Sequence, residues 1–288
     1  MIEFWDRLLG RGPIPMPDGQ AAAWIERALE SGRPFFAGRL GWLESAVIEC
    51  VDAGREPEPG LVARLRTNAG VFPEDRKQTR TFVQTSLEAL GHADLLAVMN
   101  TPHERRLLRR HRRDGLVFSG LAPLEPYLSP NPWSRALKGR QILVVHPFAG
   151  SIRNQYESVR ERLFSNPDVL PAFDLKTLVP PQTVGSNTGG FSSWDAAFFD
   201  LERNVLAVDF DVALIGCGAY GFPLGAAVKR SGRGAVHIGG ALQNLFGVAG
   251  KRWRDQAPFR ELMNDFWRPP MEAERPVGWE KIEDGCYW

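Results

Sequence analysis

Cysteine is scarce: Cys50, Cys217 and Cys286 are the only three in 288 residues. They lie far apart and are odd in number, which excludes a disulfide framework and offers no zinc-ligand spacing. A reducing cytoplasm is the expected setting. Long apolar runs are missing too. No stretch approaches the roughly 20 apolar residues of a membrane span, and residues 1–10 contain acidic side chains and no run of signal-peptide length. Net charge is nearly absent, formally +1, so nothing in the bulk composition draws the chain toward nucleic acid or membrane. No internal repeat or low-complexity tract is evident.

What remains is an ordinary globular composition, 43% hydrophobic and 24% charged. The periodicity predicts helices over 19–31, 42–51, 60–69, 74–91, 151–164 and 192–207, with strands over 34–41, 93–98, 116–118, 142–145, 173–178, 211–216 and 234–238. Strands alternating with helices of 10–15 residues predict a Rossmann-like α/β fold, a mostly parallel sheet with helices on both faces. The proline-rich stretch 123–132 is expected to be a surface loop, which leaves one domain over 1–288. Its N-terminal region 1–32 is expected to be helical, and its tail 251–288 to wrap over the rest.

Ligands of open parallel sheets bind beyond the carboxyl ends of the strands. That rule sorts the polar residues. Arg39, Gly41 and Glu44 follow the first strand, and His146, Ser151 and Arg153 follow the strand 142–145. Gly216, Gly218, Tyr220 and Gly221 follow the next, and His237, Gly239 and Gly240 the last. Ser151 reads as a helix cap beside the Arg153 guanidinium, a natural anion seat, with simple capping as the plain alternative. His146 reads as a general base or phosphate donor, or as a structural histidine. Gly216, Gly218 and Gly221 match G-x-G-x-x-G, but a dinucleotide site needs a carboxylate at the end of the next strand, where this chain has His237. Asp209 and Asp211 have D-x-D spacing at the amino end of their strand, and read as solvated strand-start residues. The basic run 105–113, from Arg105 to Arg113, reads as a solvated helical face or as a peripheral contact with anionic lipid at the inner membrane surface. It has no interleaved aromatics, so nucleic acid is not an expected partner. Trp194, Tyr220, Trp253 and Trp267 read as core or lid aromatics, with sugar stacking as the functional alternative.

Two segments resemble the GT-D type of glycosyltransferase, first described from a domain of unknown function in bacterial surface-glycan systems. One is the strand, glycine turn and second strand at 211–224 and 235–240. The other is Arg39, Gly41 and Glu44, which keep the outline of an Arg-x-Gly-Asp-Gly-Glu segment with Trp42-Leu43 in place of Asp-Gly. The chain also resembles proteins of bacterial polysaccharide gene clusters at His146-Pro147-Phe148, Ser151-Ile152, Gly250-Lys251-Arg252-Trp253 and Gly285-Cys286-Tyr287-Trp288. The resemblance implies transfer of a sugar from a nucleotide-diphosphate donor to a hydroxyl of a glycan or glycolipid. Glu44 would then be base or residual metal ligand, with Arg39, Arg153 and Lys251 on the diphosphate. The turn 216–221 would face the nucleotide, and His146 and His237 would contact donor or acceptor. A divalent Mn or Mg ion belongs to that chemistry, and the absent aspartate speaks against it here. A non-catalytic glycan-assembly protein and an NAD-dependent oxidoreductase are the rival readings.

Overall fold

The computed structural model describes residues 12–288; the part of the expected N-terminal helical region before residue 12 lies outside the described residues. Seven strands form one sheet: β1 (Phe35–Arg39), β2 (Leu95–Ala97), β3 (Val117–Ser119), β4 (Gln141–Val145), β5 (Asp174–Leu178), β6 (Val212–Ile215) and β7 (Gly234–His237). Their spatial order is β3-β2-β1-β7-β6-β4-β5, and every pairing is parallel. The fold is α/β and Rossmann-like.

Most strands are apolar along their length because both faces are covered. Alternate residues divide between two cores. Phe36, Leu96, Leu143, Val145, Ala213 and Ile215 pack with the helices Trp42–Asp52, Arg76–His92, Trp194–Leu206 and Gly221–Arg230. Phe35, Ala37, Leu95, Ile142, Val144 and Leu214 pack on the other face with Asp18–Glu30 and Ala149–Val159. The period of two along a strand makes this division automatic.

Connectivity decides where a ligand can enter. The chain leaving β1 and β6 turns into helices of the first face, whereas the chain leaving β4 and β7 turns toward the second. Neighbouring loops therefore diverge between β1 and β7, between β7 and β6, and between β6 and β4. These are topological switch points, where open parallel sheets form their ligand crevices.

Two expectations are corrected. The proline-rich stretch is not a surface loop: it carries the 3₁₀ turns Ala122–Leu124 and Pro126–Leu128, with Leu124 and Tyr127 buried, and a third turn, Trp133–Leu137, follows it. The helix expected from residue 151 starts two residues earlier, at Ala149, and its α-helical part ends at Val159. The segment after residue 250 has short turns and helices, and places Trp253, Trp267, Ile282 and Trp288 in the second core.

Candidate functional site

A cavity of about 420 Å³ opens at the carboxyl edge of the sheet, within the size range of small-molecule sites. The loops after β1, β4, β5, β6 and β7 line it, and the segment 282–288 closes its side. Of the residues singled out in the sequence, Arg39, Gly41, Glu44, His146, Gly216, Gly218, Tyr220, His237, Gly239, Gly240 and Trp253 lie in its wall.

Arg39 ends β1 and has no carboxylate within ion-pair distance among the described residues; its one side-chain hydrogen bond there is a long contact to Met99 Sδ at 3.9 Å. Nearby carboxyls feel its charge: it pulls down the pKa values of Glu44, Glu104 and Glu125. Glu44 sits in the first turn of Trp42–Asp52 and folds back over Gly41, where any Cβ would overlap the carboxylate. Its own main-chain N–H holds it, as a carboxylate at a helix N-terminus commonly is. Burial nevertheless wins, and the Glu44 pKa is raised, with Glu283 across the cavity adding to the effect.

Both histidines are buried and neutral. His146 Nδ1 accepts the N–H of Phe148 at 3.0 Å, so the ring proton belongs on Nε2, on the side where the Gly240 carbonyl is its partner. Desolvation pushes its pKa down to about 3. With one nitrogen accepting and the other protonated, His146 has no free lone pair in this arrangement. The expectation of a general base is corrected to that of a neutral donor. His237 donates from Nδ1 to the Arg39 carbonyl at 3.0 Å and is likewise held near a pKa of about 3, by burial first and by Arg39 second.

The glycine turn divides by role. Gly218 has φ +57° and is exposed at the cavity. Neither its amide nor that of Cys217 is donated to another group among the described residues. These two N–H groups belong to cavity-lining residues and are candidate anion donors of the turn. Gly221 does not face a ligand; a Cβ there would overlap the imidazole of His237, so this glycine is required for packing. Tyr220 is buried, its hydroxyl 2.6 Å from Thr183 Oγ1 and its ring stacked on Trp194 at 5.6 Å. β7 ends in His237 with no carboxylate beside it, so the ribose anchor of a dinucleotide site is absent from that position.

Three expected anion binders stand elsewhere. Ser151 does not cap its helix: the N-cap is Phe148, and the free N–H groups are taken by Glu274 of the tail. Glu274 Oε1 accepts from Gly150 at 2.7 Å and Ser151 at 3.1 Å, while its Oε2 receives the Ser151 hydroxyl. Arg153 is exposed and donates to Thr177 Oγ1 at 2.6 Å, outside the cavity lining. Lys251 is exposed; the tail cation in the wall is its neighbour Arg252, paired with Glu283 and 4.9 Å from the Tyr287 ring centre.

Sequence reasoning missed several wall residues. Trp42 is 44% exposed and carries the Arg64 guanidinium 5.3 Å over its ring. Glu125, between two 3₁₀ turns, is held by the Tyr127 hydroxyl at 2.6 Å and has a raised pKa from burial. Beside these, the motif residues Phe148, Trp253, Tyr287 and Trp288 form an aromatic side of the wall, with Phe148 meeting Trp288 edge to face at 5.5 Å. Trp42 stands out in the sequence as an apolar replacement inside the Arg-Gly-Glu segment. Glu125 and Glu283 sit in aperiodic turns with nothing to mark them.

No group of three or more His, Cys, Asp or Glu among the described residues is arranged to hold a metal ion. Glu44, Glu125 and Glu283 each bind a different internal partner, so no step below is routed through a metal. Asp211 lies at the opposite edge, where Oδ2 accepts the Gln141 N–H at 2.9 Å. The basic helix Pro102–His111 faces Trp42–Asp52: Arg106 pairs with Glu49 at 3.0 Å, and Arg110 and His111 with Asp52 at 2.6 and 2.9 Å. No helix among the described residues is long and apolar enough to cross a membrane.

Comparison with known proteins adds little to this geometry. No protein-family model matches the chain, and no curated protein matches it. Among solved structures, it is similar to the selenomethionine-substituted structure of domain of unknown function 1792. The sequence identity is 14%, 94% of this chain aligns with 96% of that one, and the TM-score is 0.46. That likeness carries no argument about activity; the α/β assignment rests on the sheet itself.

Proposed function

We propose that the chain is a glycosyltransferase that seats a nucleotide-diphosphate sugar in this cavity and passes the sugar to a hydroxyl of a bacterial surface glycan. The observation that carries the reading is Arg39, a guanidinium with no ion pair among the described residues, set at a strand-end crevice beside exposed and aromatic side chains. Charge left unpaired in a cavity is costly unless a ligand of opposite charge uses it.

The chemistry needs a place for the leaving diphosphate and an acceptor for the hydroxyl proton. Arg39 and the amides of Cys217 and Gly218 supply fixed positive groups for the diphosphate as its charge develops. Glu44, with its pKa raised by burial toward the working pH, is the group in the wall suited to take the proton. Trp42 and Tyr287 offer faces for a sugar ring or a base. His146 and His237, both neutral, leave the site's positive charge with the arginines.

A second reading has its own support. Glu44 is engaged with its own helix and His146 has no free lone pair, which suits a protein that binds a glycan precursor without turning it over. Calorimetric titration with uridine, guanosine, cytidine and thymidine diphosphates tests the site, and sugar release from the matching donors separates the two readings. Binding with slow hydrolysis of one donor is expected. Heat changes absent for all four nucleotides would remove both readings.

A further inference from the structure

Around Tyr127 the oxygens outnumber the available protons. Its hydroxyl lies 2.6 Å from Glu125 Oε2 and 2.9 Å from the carbonyl of Ala241, and Asn244 Nδ2 donates to it at 3.4 Å. Both short contacts have hydrogen-bond length, yet a phenol has one proton to donate. If Glu125 were ionised, Tyr127 would give its proton to the carboxylate and face the Ala241 carbonyl lone pair to lone pair. If Glu125 holds a proton on Oε2, each contact has its hydrogen: the carboxyl donates to Tyr127, and Tyr127 donates to Ala241.

We infer that Glu125 is a protonated carboxyl at neutral pH and that its proton favours an anion on Arg39. The second half rests on the diphosphate reading of the cavity; the first half does not. Few charged groups face Glu125. Arg39 approaches from β1 and favours ionisation; Tyr127, on its own turn, stays a hydroxyl because burial and Glu125 hold its pKa well above the ordinary value. The segment after β7 presents only the Ala241 carbonyl and the Asn244 amide. Farther round the wall, Glu44 is held by its helix, and Glu283 is neutralised by Arg252. Desolvation outweighs both the Tyr127 hydrogen bond and Arg39, which favour the ionised form, and raises the Glu125 pKa, in agreement with the hydrogen count. While Glu125 is neutral, Arg39 has its charge free for a ligand. When Glu125 ionises, it becomes a rival anion in the same cavity.

Glu125→Gln mimics the neutral acid, since its amide can donate to Tyr127 in place of the carboxyl proton. A carboxyl whose native pKa lies above its unfolded value, about 4.3, takes stability away as pH rises through that window. The melting temperature of wild type should therefore fall relative to Glu125→Gln as pH is raised from 5 to 9. A constant or opposite difference overturns the proton assignment. Should Glu125→Gln fail to fold, infrared titration of wild type decides. A protonated-carboxyl band that is present at pH 7, lost at high pH and shifted in Tyr127→Phe supports the assignment; no such band overturns it. For the second half, inorganic pyrophosphate is titrated at pH 6 and pH 9 into both proteins. Wild-type affinity should fall by roughly fivefold or more relative to Glu125→Gln, the usual scale of coupled sites. An equal pH response overturns the linkage. Pyrophosphate binding to neither protein overturns the anion site, while the stability comparison still decides the proton.

Discussion

The two edges of the sheet use the same residue types in opposite ways. At the amino edge Asp94, Asp211 and Lys176 each find a partner. Asp94 Oδ2 accepts the Phe36 N–H at 2.9 Å while its Oδ1 pairs with Lys229 at 2.6 Å. Asp211 does the same for Gln141, and Lys176 donates to Gln141 Oε1 at 2.7 Å. At the carboxyl edge Arg39 has no ion pair among the described residues, the carboxyls of Glu44 and Glu125 are raised, and both imidazoles are neutral. A strand-start carboxylate caps its neighbour's first N–H; a strand-end guanidinium faces a cavity. The difference separates polar groups that hold the sheet together from polar groups held ready for something else.

The largest effect on stability should come from the amino edge. Asp94→Ala strips an acceptor from the Phe36 amide and a counter-ion from Lys229, and should cost about 1–3 kcal/mol in denaturant unfolding, with nucleotide binding unchanged. If binding falls as well, the division of roles between the edges is wrong. Near neutral pH a smaller effect is expected at the other edge, and it grows with acid. The native pKa of His146 is about 3, below the unfolded value of about 6.5, so the native state binds fewer protons between those limits. Stability should then fall as pH drops from 6.5, and His146→Asn, which can still accept the Phe148 N–H, should show a shallower slope. Equal slopes would mean that His146 titrates normally. The smallest change is expected from Glu274→Ala, which uncaps the helix Ala149–Val159 and should cost about 1 kcal/mol. Its unfolding midpoint and its nucleotide affinity, measured together, show whether Glu274 is purely a cap.

Much of this contrast was legible in the sequence, and the reasons differ by element. The β4–β7 half could be read because β4, β6 and β7 are short and apolar and amphipathic helices intervene. The strand-end rule then placed Arg39, His146, Gly218 and His237 together with no knowledge of sheet order. Ser151 misled because its helix begins two residues earlier, and the true cap, Glu274, comes from more than a hundred residues away. Lys251 and Arg252 could not be told apart, since a single helical turn has no period and tertiary packing alone selects which cation faces inward. Glu125 was invisible for a similar reason: its environment is made by Tyr127, Ala241 and Arg39, which only the fold brings together.

The central claim is that Arg39 is kept unpaired for an anionic ligand. Isothermal titration of the nucleoside diphosphate panel into wild type and Arg39→Ala, with melting temperatures recorded for both, tests it directly. The account predicts saturable binding of at least one diphosphate to wild type. It also predicts a loss of about tenfold or more in Arg39→Ala, the scale of a charge-assisted hydrogen bond, with a melting temperature close to that of wild type. Equal affinity in the two proteins, or a collapse in stability without Arg39, would show that this guanidinium serves the fold and not a ligand.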